Sequence, residues 1–236
     1  MKILTSKNHK NYHSPLRYPG GKTSLLPFFE KIIQEQGLEK LTYVEPFAGG
    51  AGAALALLFS SKVERIVIND LDRAIYSFWQ SAIFDSEKFI GKIYRTQVTI
   101  DEWKKQKAIY ENPKSRLFNL GFATFFLNRT NISGILDGGP IGGLDQKGKW
   151  KIDARFNKKS LIKKIQQLGQ YKNKISVHNK DGLKLIGEYL NRKNSFIYLD
   201  PPYFEKGATL YLNHYQKENH EALAKKLNKN RDAFWL

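Results

Sequence analysis

The sequence has no cysteine, which excludes disulfides, thiolate metal sites and covalent attack on a substrate by a cysteine. It also lacks any unbroken apolar run approaching the roughly 18 residues of a membrane span. Its first ten residues, MKILTSKNHK, contain no apolar core of signal-peptide length. A soluble, cytoplasmic protein is expected. Acid is scarce: 22 aspartates and glutamates face 39 lysines and arginines, a formal charge of +17. That excess attracts polyanions, with nucleic acid as the leading candidate. Ribosomal association, or the lysine usage of an AT-rich genome, would give the same bulk charge. A chain of 236 residues suffices for one domain with a substantial insertion, or for two small domains.

The most informative stretch runs from Asn194 to Tyr203, NSFIYLDPPY. Phe196 to Leu199 reads as a buried strand that stops at Asp200, followed by Pro201 and Pro202. The prolines remove two backbone donors and fix two φ angles, so the sheet cannot continue and the turn is rigid. A carboxylate, a stiff carbonyl-bearing turn and the ring of Tyr203 stand together at a strand's carboxyl end, where open α/β sheets form their ligand crevices.

Three more strand ends carry acids. Leu41 to Val44 reads as a strand entering Glu45-Pro46-Phe47-Ala48-Gly49-Gly50-Ala51-Gly52, with a helix from Ala53 to Phe59. Glycines at a strand-to-helix turn allow tight turning and close approach of a ligand to the backbone. Arg65 to Ile68 is a strand ending near Asp70, at the spacing from which an acid accepts hydrogen bonds from ribose hydroxyls. Asp72 reads as a cap for a helix over Arg73 to Phe84. Ile175 to His178 is a short strand before Asp181 and a helix from Leu183 to Leu190, which Asp181 would alternatively cap.

Near the N-terminus, Pro15 to Lys22 reads as a ligand-approaching loop, with a helix behind it over Leu25 to Gln36. From Glu87 to about Arg155 the strand-helix rhythm lapses, and Lys88 to Arg95, Asp101 to Glu111 and Ser115 to Leu127 look helical. This is too long and structured for a sheet connection, so it reads as a mostly helical insertion. Arg129 and Asn131 lie in a polar segment mounted on Phe125 and Phe126; pocket organisation, phosphate contact and loop support all suit them. Asp137 to Asp145 is too glycine-dense to pack as an element and suits a loop that inserts into a groove or orders on binding. Between Lys147 and Lys174 ten basic residues face one acid, Asp153. Lys147, Lys149, Lys151, Arg155, Lys158 and Lys159, interleaved with Trp150 and Phe156, read as a phosphate-tracking surface; Ser160 to Leu168 has a solvated helix face of its own. A last helix is expected over Asn219 to Asn228, and Asp232 to Leu236 begins an apolar strand.

Asp200-Pro201-Pro202-Tyr203 resembles the catalytic motif of amino-group DNA methyltransferases, and specifically of the Dam-like, D12 class adenine-N6 family. Arg17-Tyr18-Pro19-Gly20-Gly21-Lys22 and Glu45 to Gly52 resemble its other motifs in the same order. The resemblance implies a Rossmann-like α/β fold dependent on S-adenosyl-L-methionine, with S-adenosyl-L-homocysteine as product. Residues 1–86 and 170–236 would form the catalytic core, and residues 87–169 a target-recognition insertion. It implies a cofactor site at Tyr18, Lys22, Glu45, Pro46, Phe47, Gly49, Asp70 and Asp181, and a catalytic set of Asp200, Pro201, Pro202 and Tyr203. A cationic sulfonium cofactor without pyrophosphate favours carboxylates over a phosphate nest, which suits Glu45. The implied partner is double-stranded DNA, with nucleoid association when bound and a restriction endonuclease as a possible companion; no metal is needed. Such enzymes continue with about three further strands and a helix. The resemblance therefore implies that C-terminal strands of the sheet are missing, leaving an exposed edge beside the catalytic strand, or that a partner supplies them. A catalytically impaired relic that binds DNA is the alternative function.

Overall fold

The computed structural model describes residues 13–17, 22–37, 40–201, 217–228 and 234–236. Tyr18, Pro202 and Tyr203, together with the segment after them, lie outside the described residues.

Among the described residues five short strands form one parallel sheet: β1 (Thr42–Glu45), β2 (Arg65–Asn69), β3 (Ile175–His178), β4 (Ser195–Ile197) and β5 (Phe234–Trp235). Their order is β3-β2-β1-β4-β5. Because every pair is parallel, all carboxyl ends emerge at one edge. The direction of strand progression reverses between β1 and β4, and that switch point is where an open sheet leaves a crevice. β5 pairs with β4 through Phe196 and Phe234 and through Ile197 and Trp235. The strand that leads to Asp200 is thus paired on both sides, which corrects the expectation of an exposed edge beside it.

The helices are α1 (Leu26–Glu35), α2 (Gly52–Phe59), α3 (Arg73–Phe84), α4 (Ser86–Arg95), α5 (Ile100–Glu111), α6 (Leu117–Thr130), α7 (Lys158–Gln170), α8 (Gly182–Tyr189) and α9 (Lys217–Asn228). Alternation along each strand divides the core between two layers. Tyr43, Ile66, Ile68 and Phe196 face a large cluster shared with α1 to α4, α6 and α7, whereas Val44, Val67 and Ile197 face Leu185, Ile186, Leu223 and Leu227 of α8 and α9. The helices of the middle region join the same core, because Phe89, Phe122, Phe125, Phe126 and Phe156 are buried together with Phe78 and Trp79 of α3. Helix α6 lies so close to α3 that a Cβ at Gly121 would press on the Ser77 carbonyl. Thr99 caps α5 through Glu102 N–H, and Asn157 caps α7 through Ser160 N–H at 2.9 Å.

The glycine-dense loop is held by its own bonds, which corrects one of the two expectations for it, ordering only on binding, and leaves the other, insertion into a groove. Gln146 Nε2 donates to the Ile141 and Gly143 carbonyls at 2.8 and 2.6 Å, and Gln146 Oε1 accepts from Ile152 N–H. Ile132 N–H bonds to Gly139 C=O, and Ile141 N–H to Thr130 C=O, which pins the loop to the end of α6.

Candidate functional site

The carboxyl ends of β1 to β4 bring Glu45, Asp70, Asp181 and Asp200 to the same sheet edge. Glu45, at the end of β1, is 5 % exposed, and its Oε1 accepts Ala54 N–H at 3.1 Å from the first turn of α2. Burial pushes its carboxyl up to about 8, and the charge of Asp200 adds to that rise. The turn that follows is strained where a ligand would approach. Gly49 has φ +46°, and Ala51, also at φ +46°, sits in the left-handed region at a cost of about 1 to 2 kcal/mol.

Asp70 fastens that turn. Its Oδ2 accepts Gly49 N–H at 3.0 Å and its Oδ1 accepts Asp72 N–H at 2.9 Å, while Trp79 Nε1 donates to Gly49 C=O at 2.9 Å. Burial lifts the Asp70 carboxyl to about 7. Each oxygen keeps a second lone pair for a further donor. Asp72 caps α3 through Ala74 N–H at 2.7 Å. Asp181 caps α8 through Lys184 N–H at 3.1 Å, the structural alternative open at that position. Phe47 packs against the α8–α9 layer beside the buried Pro46.

Lys22 and Asp200 approach from opposite ends of the chain. Lys22 Nζ lies 3.2 Å from Asp200 Oδ2, both partly exposed. Lys22, expected on the cofactor, therefore also bears on Asp200.

Sequence reasoning missed two asparagines. Asn69, 1 % exposed, donates to Pro46 C=O at 2.8 Å and Lys180 C=O at 2.9 Å and accepts Lys180 N–H at 2.9 Å. One amide thus ties the glycine turn after β1 to the turn that carries Asp181. Asn128, 2 % exposed, accepts Arg17 N–H at 2.7 Å and donates to Arg17 C=O at 2.8 Å and Gly134 C=O at 2.9 Å. It docks the N-terminal motif onto α6. The available signal was a polar residue at the end of an apolar element, which in Asn69 was masked by the acid beside it.

The expected DNA-facing residues divide. Asn131 is fully buried; its Oδ1 accepts Trp103 Nε1–H at 2.7 Å and its Nδ2 donates to the Ile135 and Leu136 carbonyls at 2.8 and 3.0 Å. Its amide is spent inside the protein, so Asn131 supports the loop and does not face DNA. Arg129 is half-buried, with Nε donating to Arg155 C=O at 2.8 Å. Lys147, Lys149, Lys151, Arg155 and Lys159 are exposed, beside the two-thirds exposed Trp150. Lys158 Nζ caps Tyr94 C=O at the end of α4 at 2.8 Å, on a groove of about 790 Å³ between α4 and α7 that Arg95, Lys159 and Lys163 also line. Among the described residues no helix is long and apolar enough to cross a membrane.

A parallel sheet of this order, with acids at its carboxyl edge, is the arrangement of a Rossmann-like methyltransferase fold. Residues 18–235 match the family of D12 class N6 adenine-specific DNA methyltransferases, and the chain belongs to that family. It is 26 % identical over 218 residues to the type II methyltransferase M.MjaIII of Methanocaldococcus jannaschii, covering 86 % of this chain and 73 % of that protein. It is 27 % identical over 198 residues to the type II methyltransferase M.CviBI of Paramecium bursaria Chlorella virus NC1A, covering 80 % and 68 %. The modification methylase StsI of Streptococcus sanguinis is 25 % identical over 223 residues, 85 % of this chain and 30 % of the longer protein.

Proposed function

We propose that this enzyme transfers a methyl group from S-adenosyl-L-methionine to the N6 amine of adenine, within a specific sequence of double-stranded DNA, after flipping the base out of the helix. The observation that carries the reading is the Lys22–Asp200 pair at the switch point of the sheet, beside the buried carboxyl of Glu45.

The residues at the crevice suit the cofactor. Glu45 and Asp70 are acids lifted to about 8 and 7 by burial, and a cationic ligand with ribose hydroxyls supplies the charge and donors that such groups lack. Glu45, with the Pro46-Phe47-Gly49 turn, would hold the amino-acid end, Asp70 the ribose and Asp181 the adenine amine, and the family resemblance assigns Tyr18 to the same cofactor. When bound, the cofactor supplies an electrophilic methyl on a sulfonium.

The chain's own residues orient the amine. An exocyclic N6 is a poor nucleophile because its lone pair is delocalised into the ring. The Asp200 carboxylate and the Pro201 carbonyl would accept hydrogen bonds from its two N–H groups and draw the nitrogen toward a tetrahedral geometry. Lys22 fixes Oδ2 and leaves Oδ1 to meet the amine. We assign Pro202 the stiffening of the turn and Tyr203 the stacking contact with the extruded ring. Residues 87–169 would form the target-recognition region, with Lys147, Lys149, Lys151, Arg155, Lys158 and Lys159 on the phosphate backbone. The names of the relatives favour a restriction-modification setting, with an endonuclease as companion.

Duplex DNA incubated with methyl-labelled cofactor tests the reading: label is expected on adenine N6 at a defined sequence. Asp200→Ala is expected to abolish transfer while DNA binding persists. DNA binding without any methylation by the wild type would instead leave a noncatalytic DNA-binding protein.

A further inference from the structure

Four cations from separate segments gather where the N-terminal segment crosses α6 and α7. Arg17 is gripped through its backbone by Asn128. Gly134, at φ +78°, stands so close that a Cβ there would lie 2.7 Å from the Arg17 carbonyl oxygen. The Arg17 guanidinium donates to Asn131 C=O at 3.1 Å, Arg129 to Arg155 C=O at 2.8 Å, and Lys164 Nζ to Ser14 C=O at 2.9 Å. Each of these three donors ends on a neutral carbonyl. Among the described residues none of Arg17, Arg129, Arg155 and Lys164 enters an ion pair.

Arg17, Arg129 and Lys164 are half-buried, so the repulsion among them is incompletely screened by water. Burial, followed by the charges of Arg17 and Arg155, pulls Arg129 down to about 10; burial and then Arg129 pull Lys164 down to about 8. Arg17 is lowered by burial and by Arg155. An anion bound among these groups would relieve that repulsion. Planar guanidiniums match the two non-bridging oxygens of a phosphodiester. Lys22, which pairs with Asp200, follows Arg17 closely in the sequence, so the covalent chain keeps their Cα atoms within about 18 Å of each other.

We propose that Arg17, Arg129, Arg155 and Lys164 form one subsite for a DNA backbone phosphate flanking the extruded adenosine. The proposal rests on the methyltransferase reading for the identity of the polyanion. It makes a specific demand on pH. Lys164 must be protonated to serve the phosphate, and in the free protein it gives up its proton near pH 8, well below an ordinary lysine. The charged groups bearing on it are Arg129 of α6, which stays cationic throughout, and His13, itself lowered by burial and by Lys164 and so neutral at such pH. No group of α3 or α4, the other helices packed on α7, contributes to its shift.

The test is duplex binding by fluorescence anisotropy between pH 7.5 and 9.5 for the full chain. For the wild type, affinity is expected to fall above pH 8 by up to about tenfold per pH unit, the limit for uptake of one proton. Lys164→Arg is expected to bind at pH 7.5 as the wild type does and to stay flat. Lys164→Met is expected to bind about tenfold more weakly at pH 7.5, with no further loss when the phosphate beside the target adenine is replaced by a neutral methylphosphonate. Retained cofactor binding certifies that each variant is folded. A flat wild-type profile to pH 9.5, or wild-type affinity in Lys164→Met, overturns the subsite. Methylation of adenine alongside either of those results leaves the enzyme reading standing and removes only this one. The expected profile without methylation keeps the subsite and removes the enzyme.

Discussion

Replacing Glu45 by glutamine separates the cost of a buried carboxylate from its use. In the folded protein this carboxyl is raised from 4.5 to about 8, chiefly by burial. A raised acid binds its proton more tightly in the native than in the unfolded chain. Its contribution to stability is therefore intact below pH 4.5 and is lost as pH rises through 8. At about 1.4 kcal/mol per pKa unit, the loss across that window is roughly 5 kcal/mol, comparable with the whole stability of a marginal domain. Glutamine keeps an oxygen to accept Ala54 N–H and cannot ionise, so Glu45→Gln should escape the loss. Urea unfolding of both proteins between pH 5 and 9 checks this. The expected result is a gap that opens with pH in favour of the variant, with contributions from Asp70 and the histidines cancelling in the difference. In the same variant, affinity for the cationic cofactor should fall and lose its rise between pH 7 and 8.5, measured by equilibrium dialysis. Parallel stability profiles for the two proteins would refute the reasoning, since they would mean that Glu45 is ionised and solvated in the free enzyme.

Asn131→Ala strands the Trp103 indole N–H and two loop carbonyls in the interior, and a loss of about 2 to 4 kcal/mol is expected in denaturant unfolding, with cofactor affinity unchanged. Gly121→Ala drives a methyl against the Ser77 carbonyl and Ser81 Oγ of α3; a drop of about 1 to 3 kcal/mol from overpacking is expected by the same measurement.

Local pattern made the core legible. Helix α3 and strand β3 have the bounds that their capping residues and apolar runs suggest, because capping and burial periodicity act within a few residues. The four acids were readable at strand ends for a related reason: in a parallel sheet every carboxyl end falls on one edge, so strand polarity alone gathers them. Which acid does what was less legible. Asp70 proved to be bound to Asp72 N–H of its own turn and to Gly49 N–H of the turn after β1, and Asp181 to Lys184 N–H at the start of α8, a competition for the carboxylates that spacing does not resolve.

By itself the sequence determined the family, the strand-end acids and the basic excess, since these rest on residue type and short-range order. Tertiary structure decided the rest. Asn131 and Asn128 are three residues apart and chemically identical, yet one supports a loop and the other docks the N-terminal motif, because α6 presents them to different neighbours. Lys22 meets Asp200, and Lys164 meets Arg129, only after the chain has folded. Pairing and repulsion depend on distance and local dielectric, and neither is written in the order of residues.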